Sequence, residues 1–305
     1  MGLVKDTEVD KYLDDYINGR IPDGLKIHCA LDNHLRWKQG SFNMILGHDN
    51  VGKTYWRIWY YLCLAKLYGK TFCIWTGENK AGQIFRDLIK MYSGQEVKSL
   101  SLAEISRYKQ EIGQYFKFVD NKYLYKYKDL LSIFDDGDYS GCLIDPYTGL
   151  DRDFSHSANY DFLNTSRQWV NKTGKTIDVC THPVSASGRA VGMYPANHQW
   201  AGHIKMPGKS DTEGGKPFPN RCDDFYCVHR LTQLESMKTY TMVGVDKVKD
   251  TETGGSTTNL DEPVLCEYNN GFGFTINGVN PLLGIKKESL PLTPNGDFDI
   301  NEVPF

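Results

Sequence analysis

The 305-residue chain lacks several features that would place it in a specialised class of protein. No apolar run approaches the roughly 18 to 20 residues that a membrane-spanning helix needs. The first residues lack the charged and apolar zones of a secretion signal. The eight cysteines include no C-x-x-C pair, a usage typical of a reducing compartment rather than of a disulfide scaffold. We therefore predict a cytoplasmic protein that makes no membrane contact.

Excess charge is also absent, because 35 basic residues face 38 acidic ones and leave a net charge of −3. This balance excludes a uniformly basic coat for nucleic acid, so any contact with a polyanion must be local. Internal repeats are absent too. The length and the 40% hydrophobic content predict one main domain over residues 21–280. We expect a linker helix in residues 1–20 and a tail over residues 281–305.

Short apolar runs alternate with stretches of helical period along the chain. The runs predict strands at residues 42–46, 71–76, 116–119, 142–144, 177–180, 225–228 and 240–245. The stretches between them predict helices at residues 54–68, 81–92, 102–113 and 160–172. This rhythm indicates an α/β fold with a mostly parallel sheet flanked by helices. The shorter connection between the last two runs indicates antiparallel strands at one edge.

The strongest motif is Gly47-His48-Asp49-Asn50-Val51-Gly52-Lys53-Thr54, which matches G-x-x-x-x-G-K-T between a predicted strand and a predicted helix. Backbone N–H groups and the helix N-terminus would face phosphate oxygens, while Lys53 supplies a charge and Thr54 a magnesium ligand. The motif predicts a nucleoside triphosphate site formed by Gly47, Asn50, Val51, Gly52, Lys53, Thr54 and Tyr55. A carboxylate at Asp49, inside an anion-binding loop, has no explanation at this stage.

Two further acids follow predicted strands. Asp145 ends the apolar stretch 141–145 and is predicted to orient Mg²⁺, although it can also simply begin a turn with Pro146. Many ATPases carry a second acid where Pro146 stands, so the residue that activates water must come from elsewhere. Glu78, just after the strand predicted at 71–76, is our candidate for this general base. The alternative is a solvated residue that caps the next helix.

These motifs together resemble the motor domain of DnaB-type and Twinkle-type replicative helicases, within the RecA-like P-loop NTPases of superfamily four. The resemblance covers about residues 24–275. Five stretches carry it: Gly40-Ser41-Phe42-Asn43 before the phosphate loop, Glu78 with Gln83 and Arg86, Asp145, Thr181-His182-Pro183, and Cys227-Val228-His229-Arg230.

The resemblance implies an ATP-hydrolysing DNA helicase of replication, in a bacterial or phage-infected cell. Its cofactors would be ATP and Mg²⁺, with six subunits in a ring and ATP between neighbours. His182 would sense the γ-phosphate, unless it is only a histidine satisfied at a strand end. The family's basic finger pair corresponds to Lys247 and Lys249, where lysine replaces arginine and loses bidentate contact with phosphate oxygens. RecA-like recombinases resemble this Lys-x-Lys arrangement.

Single-stranded DNA is the predicted partner of residues 184–221, because the family's strand-binding loop follows the sensor strand. This stretch holds five basic residues against Asp211 and Glu213; the basic ones are Arg189, Lys205, Lys209, Lys216 and Arg221. The aromatic residues Tyr194, Trp200 and Phe218 would add stacking surfaces. A solvated insertion without a ligand is the alternative.

The two ends of the chain predict protein contacts. Residues 7–19 form an amphipathic pattern with Val9, Leu13 and Ile17 one turn apart, which can pack on a neighbouring subunit or on its own domain. The Pro- and acid-rich residues 290–305 predict disorder. Their acidic tip, which ends in Phe305, resembles tails that recruit replication proteins and is predicted to bind replisome components. A merely solvated tail is the alternative.

Three classes of function remain open at this stage. The first is a ring-forming, ATP-driven DNA motor, and the second is a RecA-like ATPase that binds DNA or replication partners without unwinding. A kinase that uses the same phosphate loop is the third, and the resemblance over five separate motifs disfavours it. Lys249 distinguishes the first two classes, because a weaker finger implies weaker unwinding.

Overall fold

The chain forms a nine-stranded sheet with helices on both faces, and the computed structural model describes residues 3–21, 23–153, 155–184, 192–259 and 261–284. The strands are β1 Phe42–Leu46, β2 Phe72–Thr76, β3 Phe116–Phe118, β4 Gly141–Asp145, β5 Thr176–Thr181, β6 Asp224–His229, β7 Tyr240–Lys247, β8 Val264–Tyr268 and β9 Phe274–Thr275. The helices are α1 Asp6–Ile17, α2 Lys53–Tyr68, α3 Ala81–Ser93, α4 Leu102–Gly113, α5 Tyr127–Asp135, α6 His156–Thr173, α7 Pro217–Arg221 and α8 Thr251–Gly254.

The strands lie in the order β3-β2-β4-β5-β1-β6-β7-β8-β9. The first six in this order are parallel, and β7, β8 and β9 continue the sheet antiparallel. This confirms the predicted mostly parallel sheet with antiparallel edge strands. The antiparallel part begins only at β7, because β6 returns to pair with β1 in parallel. The carboxyl ends of the six parallel strands share one edge of the sheet, which we call the carboxyl edge.

Two apolar layers cover the sheet and explain why its strands are uniformly apolar. In β1, Ile45 faces the layer that contains α2, α3 and α4. Phe42, Met44 and Leu46 face the opposite layer, which contains α5 and α6. A strand buried on both faces has no position at which a polar residue would meet water, so the period-two alternation of a half-exposed strand disappears.

Helix α2 is buried on nearly all sides and contains a charged residue, Arg57, that is only 1% exposed. Its guanidinium pairs with the fully buried Asp178 of β5. The same carboxylate accepts hydrogen bonds from the Tyr61 hydroxyl and from Asn43 Nδ2, the latter at 2.9 Å. A charge removed from water needs such partners, because desolvation otherwise makes burial prohibitive. These contacts hold the helix that begins at the phosphate loop against β1 and β5.

Several elements were not predicted from the sequence. Helix α5 has only nine residues and buries three of them, Leu130, Leu131 and Phe134, which is too short a pattern to show a helical period. Helix α6 begins at His156, four residues before the predicted start at 160. Strands β8 and β9 lie at the far edge of the sheet and bury only Cys266 and Phe274 fully, and β8 begins after a polar stretch.

Helix α1 confirms the predicted N-terminal helix, and none of its side chains is buried. Its contact with the rest of the chain includes a 3.3 Å hydrogen bond from the Tyr16 hydroxyl to Glu252. Among the described helices, none has the length and apolar composition needed to cross a bilayer. Residues 285–305, which include the predicted acidic tail, lie outside the described residues.

Candidate functional site

The predicted phosphate loop connects β1 to α2 at the carboxyl edge. Gly52 has a φ of 84°, in the left-handed region that glycine adopts without steric cost. A Cβ at Gly47 would lie 2.4 Å from the carbonyl oxygen of Val228, so glycine is also required there. The loop therefore has a defined backbone that approaches β6 closely.

Lys53 lies inside this loop and is only 7% exposed. Its ammonium group donates hydrogen bonds to the carbonyl oxygens of Gly47, at 2.7 Å, and His48, at 2.9 Å. Nδ1 of His182 is 3.3 Å from the same nitrogen. A buried ammonium group needs acceptors of this kind because it has lost its water. The cation is thereby held at the centre of the loop.

The structure also brings together the two predicted magnesium ligands. The Thr54 hydroxyl donates to Oδ2 of Asp145 at 2.5 Å, and Asp145 is 2% exposed at the end of β4. Hydroxyl and carboxylate oxygens are ligands that Mg²⁺ prefers, with phosphate and water oxygens completing its shell. Within the described residues no group of three His, Cys, Asp or Glu side chains could hold a metal ion. The Thr54–Asp145 pair fits a magnesium ion whose other ligands are phosphate and water oxygens.

Glu78 lies two residues beyond Thr76, the residue of β2 that pairs with Asp145 of β4. The Gly77 N–H donates to the carbonyl oxygen of Asp145 at 2.9 Å, which fixes this turn beside the metal pair. The Glu78 side chain is exposed, and no hydrogen bond or ion pair engages it within the described residues. A carboxylate in this position is free to contact a water molecule.

Two asparagines that sequence reasoning missed support the Glu78 turn. Asn79 Nδ2 lies 3.5 Å from the Thr54 hydroxyl and 3.4 Å from that of Thr76. Asn121, after β3, donates from Nδ2 to the carbonyl oxygens of Thr76 and Asn79 at 3.0 and 2.9 Å. The only signal for Asn79 was its position directly after Glu78, and Asn121 gave no local signal at all.

His182 follows β5 and faces the phosphate loop from the neighbouring strand. Its Nδ1 lies 2.9 Å from Oδ1 of Asp49 and 3.3 Å from the ammonium group of Lys53. The acid that had no explanation in the sequence is therefore the partner of the predicted sensor. The Asp49 side chain is 84% exposed, so this pair costs little desolvation.

Two other histidines lie in or beside the loop, and burial lowers the pKa of both. The rings of His48 and His229 are 5.7 Å apart. Burial lowers the pKa of His229 to about 4, although its hydrogen bond to the Ile204 carbonyl opposes the shift. Burial, followed by the charge of Lys53, lowers the pKa of His48. Neither ring is suited to carry a proton near neutral pH, and sequence reasoning assigned neither a role.

Of the other predicted nucleotide contacts, Asn50 is exposed with a φ of 58°, whereas Tyr55 and Val51 face the protein interior. The Tyr55 ring packs against Tyr268 and Phe274, with ring centres 5.6 and 5.7 Å away. Its hydroxyl accepts a hydrogen bond from the Gly273 N–H at 3.2 Å. Val51 is 6% exposed. Tyr55 therefore links the first turn of α2 to the β8–β9 edge.

Lys247 and Lys249 are not brought to the phosphate loop of their own chain. Lys247 ends the antiparallel strand β7 and Lys249 lies just beyond it, at the opposite edge of the sheet, beside the start of β6. The Lys247 ammonium group donates to the carbonyl oxygens of Pro219 and Cys222, both at 2.7 Å. Lys249 is 64% exposed and lies 3.0 Å from the carboxylate of Asp223.

Asp223 is a strong anionic partner for Lys249. Burial opposes its ionisation, but hydrogen bonds from Arg167, the Phe42 N–H and Lys249 outweigh burial, so the pKa of Asp223 lies below its usual value. Arg167 Nη1 is 2.6 Å from the same carboxyl group.

The predicted strand-binding loop differs from expectation in its aromatic residues. Tyr194, Trp200 and Phe218 are buried, with exposures of 3%, 5% and 1%, so they cannot stack on bases as predicted. The reason is that the described part of the loop, residues 192–221, packs against the sheet and its helices. Tyr194 and Trp200 pack in a cluster with Cys227 and Met242, and Phe218 packs under α6.

The basic residues of this loop behave differently from its aromatic ones. Lys205, Lys209, Lys216 and Arg221 are exposed, while Arg189 lies outside the described residues. The start of this loop is tied to its later part, because the Val184 N–H donates a hydrogen bond to the carbonyl oxygen of Asp211 at 2.8 Å. Exposed cations thus lie on the described part of this loop, residues 192–221.

Solved structures share this architecture, among them the two compared below. The ATPase domain of G40P superposes with a TM-score of 0.69 at 12% sequence identity, covering 90% of this chain and 99% of that one. A DnaB-like replicative helicase, solved in a study of its interactions with primase, superposes with a TM-score of 0.62 at 13% identity, covering 90% of this chain and 67% of that one. No protein-family model and no curated protein sequence matches the chain. The chain therefore has the RecA-like fold of a DnaB-type helicase motor domain, as the sequence resemblance predicted.

Proposed function

We propose that the chain is a Mg²⁺-dependent ATPase of the helicase type, which assembles into a ring and moves along single-stranded DNA during replication. One observation carries the proposal: the side chains of four residues meet at the glycine-rich phosphate loop, namely Lys53, Thr54, Asp145 and His182. These groups supply the charge, the metal ligands and a γ-phosphate contact that phosphoryl transfer requires.

Each residue has a separate role in this proposal. Lys53 exchanges its carbonyl contacts for phosphate oxygens, and Thr54 and Asp145 hold the metal ion. Glu78 orients and deprotonates the attacking water, since its carboxylate adjoins the metal pair without a partner of its own among the described residues. His182 contacts the γ-phosphate and reports its loss to the loop that follows β5.

The position of Lys247 and Lys249 supports a ring. Because they lie at the edge of the sheet remote from their own phosphate loop, they would complete the site of a neighbouring subunit. The exposed lysines of residues 184–221 would follow the DNA backbone, and this contact depends on repetition around the ring. We also propose the division into a linker helix at 1–20, a motor domain at 21–280 and a partner-binding tail at 281–305.

The alternative is a RecA-like ATPase that binds DNA or replication partners without unwinding. The observation that favours it is Lys249 itself, because lysine cannot make the bidentate phosphate contact of an arginine finger. The two functions share the same site and the same hydrolysis reaction. Strand separation on a forked duplex distinguishes them, since only the motor releases the displaced strand.

The test is ATP turnover with and without single-stranded DNA, in the full chain and in the variant Lys53→Ala. We expect DNA to stimulate turnover in the full chain, and Lys53→Ala to lower turnover about a hundredfold or more, because the charge that stabilises the transferring phosphoryl group is lost. Circular dichroism checks that the variant is folded. If Lys53→Ala kept full ATP turnover, the assignment of the phosphate site would be wrong. If DNA left the turnover of the full chain unchanged, the proposed motor function would be wrong.

A further inference from the structure

The acid at position 49 has no part in the chemistry proposed for the phosphate loop. Asp49 places a carboxylate in a loop that binds phosphate, and two anions repel each other. Its side chain is 84% exposed, so it could extend into water. Instead its Oδ1 lies 2.9 Å from Nδ1 of His182, the residue proposed to contact the γ-phosphate. Burial does not impose this contact.

Nδ1 of His182 is approached by two groups of opposite charge. It lies 2.9 Å from Asp49 and 3.3 Å from the ammonium group of Lys53. One ring nitrogen can donate to a carboxylate or accept from an ammonium group, but it cannot do both at once. The contact with Asp49 is the shorter, and Lys53 already donates to the carbonyl oxygens of Gly47 and His48. Nδ1 therefore carries a proton and donates it to Asp49.

The contact with Asp49 occupies the group that a γ-phosphate would need. Nδ1 is the ring nitrogen beside the Lys53 ammonium group, which is the charge proposed to bind phosphate. A γ-phosphate oxygen would accept the same Nδ1 proton, since both partners are anionic oxygens at hydrogen-bond distance. The carboxylate of Asp49 thus stands in for a γ-phosphate oxygen at His182.

Of the two partners, Asp49 is the one that can move away. Water screens an ion pair whose acid is 84% exposed, and it hydrates the carboxylate as soon as the pair opens. The side chain of His182 is only 15% exposed, and its carbonyl oxygen accepts from the Glu213 N–H at 3.0 Å. The next residue, Pro183, forms a bridge with Thr212. The sensor therefore stays in place when its partner is exchanged.

We propose that Asp49 competes with the γ-phosphate for His182 and so sets the ratio of ATP affinity to ADP affinity. Asp49 holds the ring when the site is empty or contains ADP. ATP replaces this contact, and Asp49 moves into water. Binding that requires an open ring is weakened by the fraction of molecules in which the ring is open. Asp49 therefore weakens ATP binding and spares ADP binding. The inference rests on the proposed function, because it takes His182 as the γ-phosphate contact.

The test is isothermal titration calorimetry of the full chain with Mg²⁺ and either ADP or adenylyl imidodiphosphate, an ATP analogue that resists hydrolysis. We expect Asp49→Ala to raise the affinity for the analogue about threefold to fivefold, the effect of one exposed ion pair, and to leave the affinity for ADP unchanged. The matched control is Asp261→Ala. It removes another exposed acid beside a histidine, because Asp261 lies 3.5 Å from Nε2 of His198, outside the phosphate loop.

A double variant tests whether the effect of Asp49 passes through His182. Simple repulsion between Asp49 and phosphate would weaken the binding of both nucleotides, with or without the histidine side chain. Competition for the ring instead predicts that the gain from Asp49→Ala disappears in the His182→Ala background, because residues in contact act non-additively.

Three results would overturn the inference: unchanged analogue affinity in Asp49→Ala, an equal gain for ADP, or a gain that persists in the His182→Ala background. An equal gain in Asp261→Ala would overturn it as well. Lys53→Ala tests the phosphate site in the same titrations. If it abolished binding while Asp49→Ala had no effect, the proposed function would stand and the inference would be wrong. A parent chain that bound neither nucleotide would contradict the proposed function, and the inference with it.

Discussion

At the scale of single residues, Asp49 shows how a carboxylate is accommodated in an anion-binding loop. Its Oδ1 lies 2.9 Å from Nδ1 of His182, and the Asp49 side chain remains 84% exposed. An exposed pair of this kind contributes little to stability. Its effect is instead to orient the His182 ring toward Lys53. The predicted sensor is thus linked to the phosphate loop through two of the loop's own residues.

Glu78 carries the prediction that separates substrate binding from chemistry. In Glu78→Gln, turnover should fall about a hundredfold or more while ATP affinity stays unchanged, because the amide cannot accept a proton from water and no described ground-state contact is lost. Phosphate release and titration with a fluorescent ATP analogue measure the two quantities. Glu262→Gln, on the loop before β8, is the control for loss of one exposed charge. A parallel loss of affinity and turnover would make Glu78 a structural residue.

At the scale of elements, the C-terminal end of β7 places Lys247 and Lys249 in different surroundings, although both were predicted as one finger pair. Lys247 is tied to the carbonyl oxygens of Pro219, within α7, and of Cys222, just after it, while the Lys249 ammonium group lies beside Asp223 and the side chain remains largely exposed. Removing Lys247 therefore takes away one hydrogen bond from each of two carbonyl oxygens, which costs stability. Lys249 is the better candidate for a finger that enters a neighbouring site.

The finger prediction concerns mixed assemblies. Lys249→Ala and Lys53→Ala should each be nearly inactive alone, and a mixture of the two should regain part of the ATP turnover. Some interfaces of the mixture then pair an intact phosphate loop with an intact Lys249 of the neighbour. Turnover is measured at several mixing ratios, with each variant diluted into itself as the control. Mixtures no more active than their components would indicate a site completed within one chain.

At the scale of the whole molecule, α1 is the element that the domain does not cover. Val9 and Leu13 are about half exposed, and none of the helix's side chains is buried. An amphipathic helix of 12 residues is marginal in water without a partner for its apolar face. A neighbouring subunit in a ring would supply that partner by a head-to-tail contact.

This leads to a prediction for assembly. Leu13→Glu should reduce the mass of the particle in the presence of ATP, because a charge replaces the centre of the apolar stripe. Nucleotide affinity should be unaffected, since α1 contributes nothing to the phosphate loop. Light scattering after size exclusion measures the mass, and Lys11→Glu, on the same helix, is the charge-matched control. If Leu13→Glu assembles like the parent chain, α1 does not hold the ring together.

The phosphate loop and the apolar strands could be predicted because their physics is local. Glycine positions, the lysine and the flanking strand and helix lie within about a dozen consecutive residues, and backbone sterics dictate their spacing. Strands that are buried on both faces can be recognised in the sequence, because their apolar runs are unbroken. Helix α5 and strands β8 and β9 could not be predicted in this way. Their sequence patterns are too short to show a period, and their place is decided by packing against the rest of the folded domain.

Amino-acid order alone therefore determined the α/β class, the phosphate loop and the strand ends that carry Glu78, Asp145 and His182. Tertiary structure decided which polar side chains meet. Arg57 is a charge beside the apolar residues Trp56 and Ile58 of α2 until β5 brings Asp178 to it, and Asn121 reaches the Glu78 turn from a loop 42 residues away. Tyr194 and Trp200 were predicted as exposed stacking surfaces but are buried, while Tyr123 remains exposed. The physical reason is that local patterns record backbone preference and average burial, whereas desolvation and pairing depend on neighbours that only the folded sheet brings together.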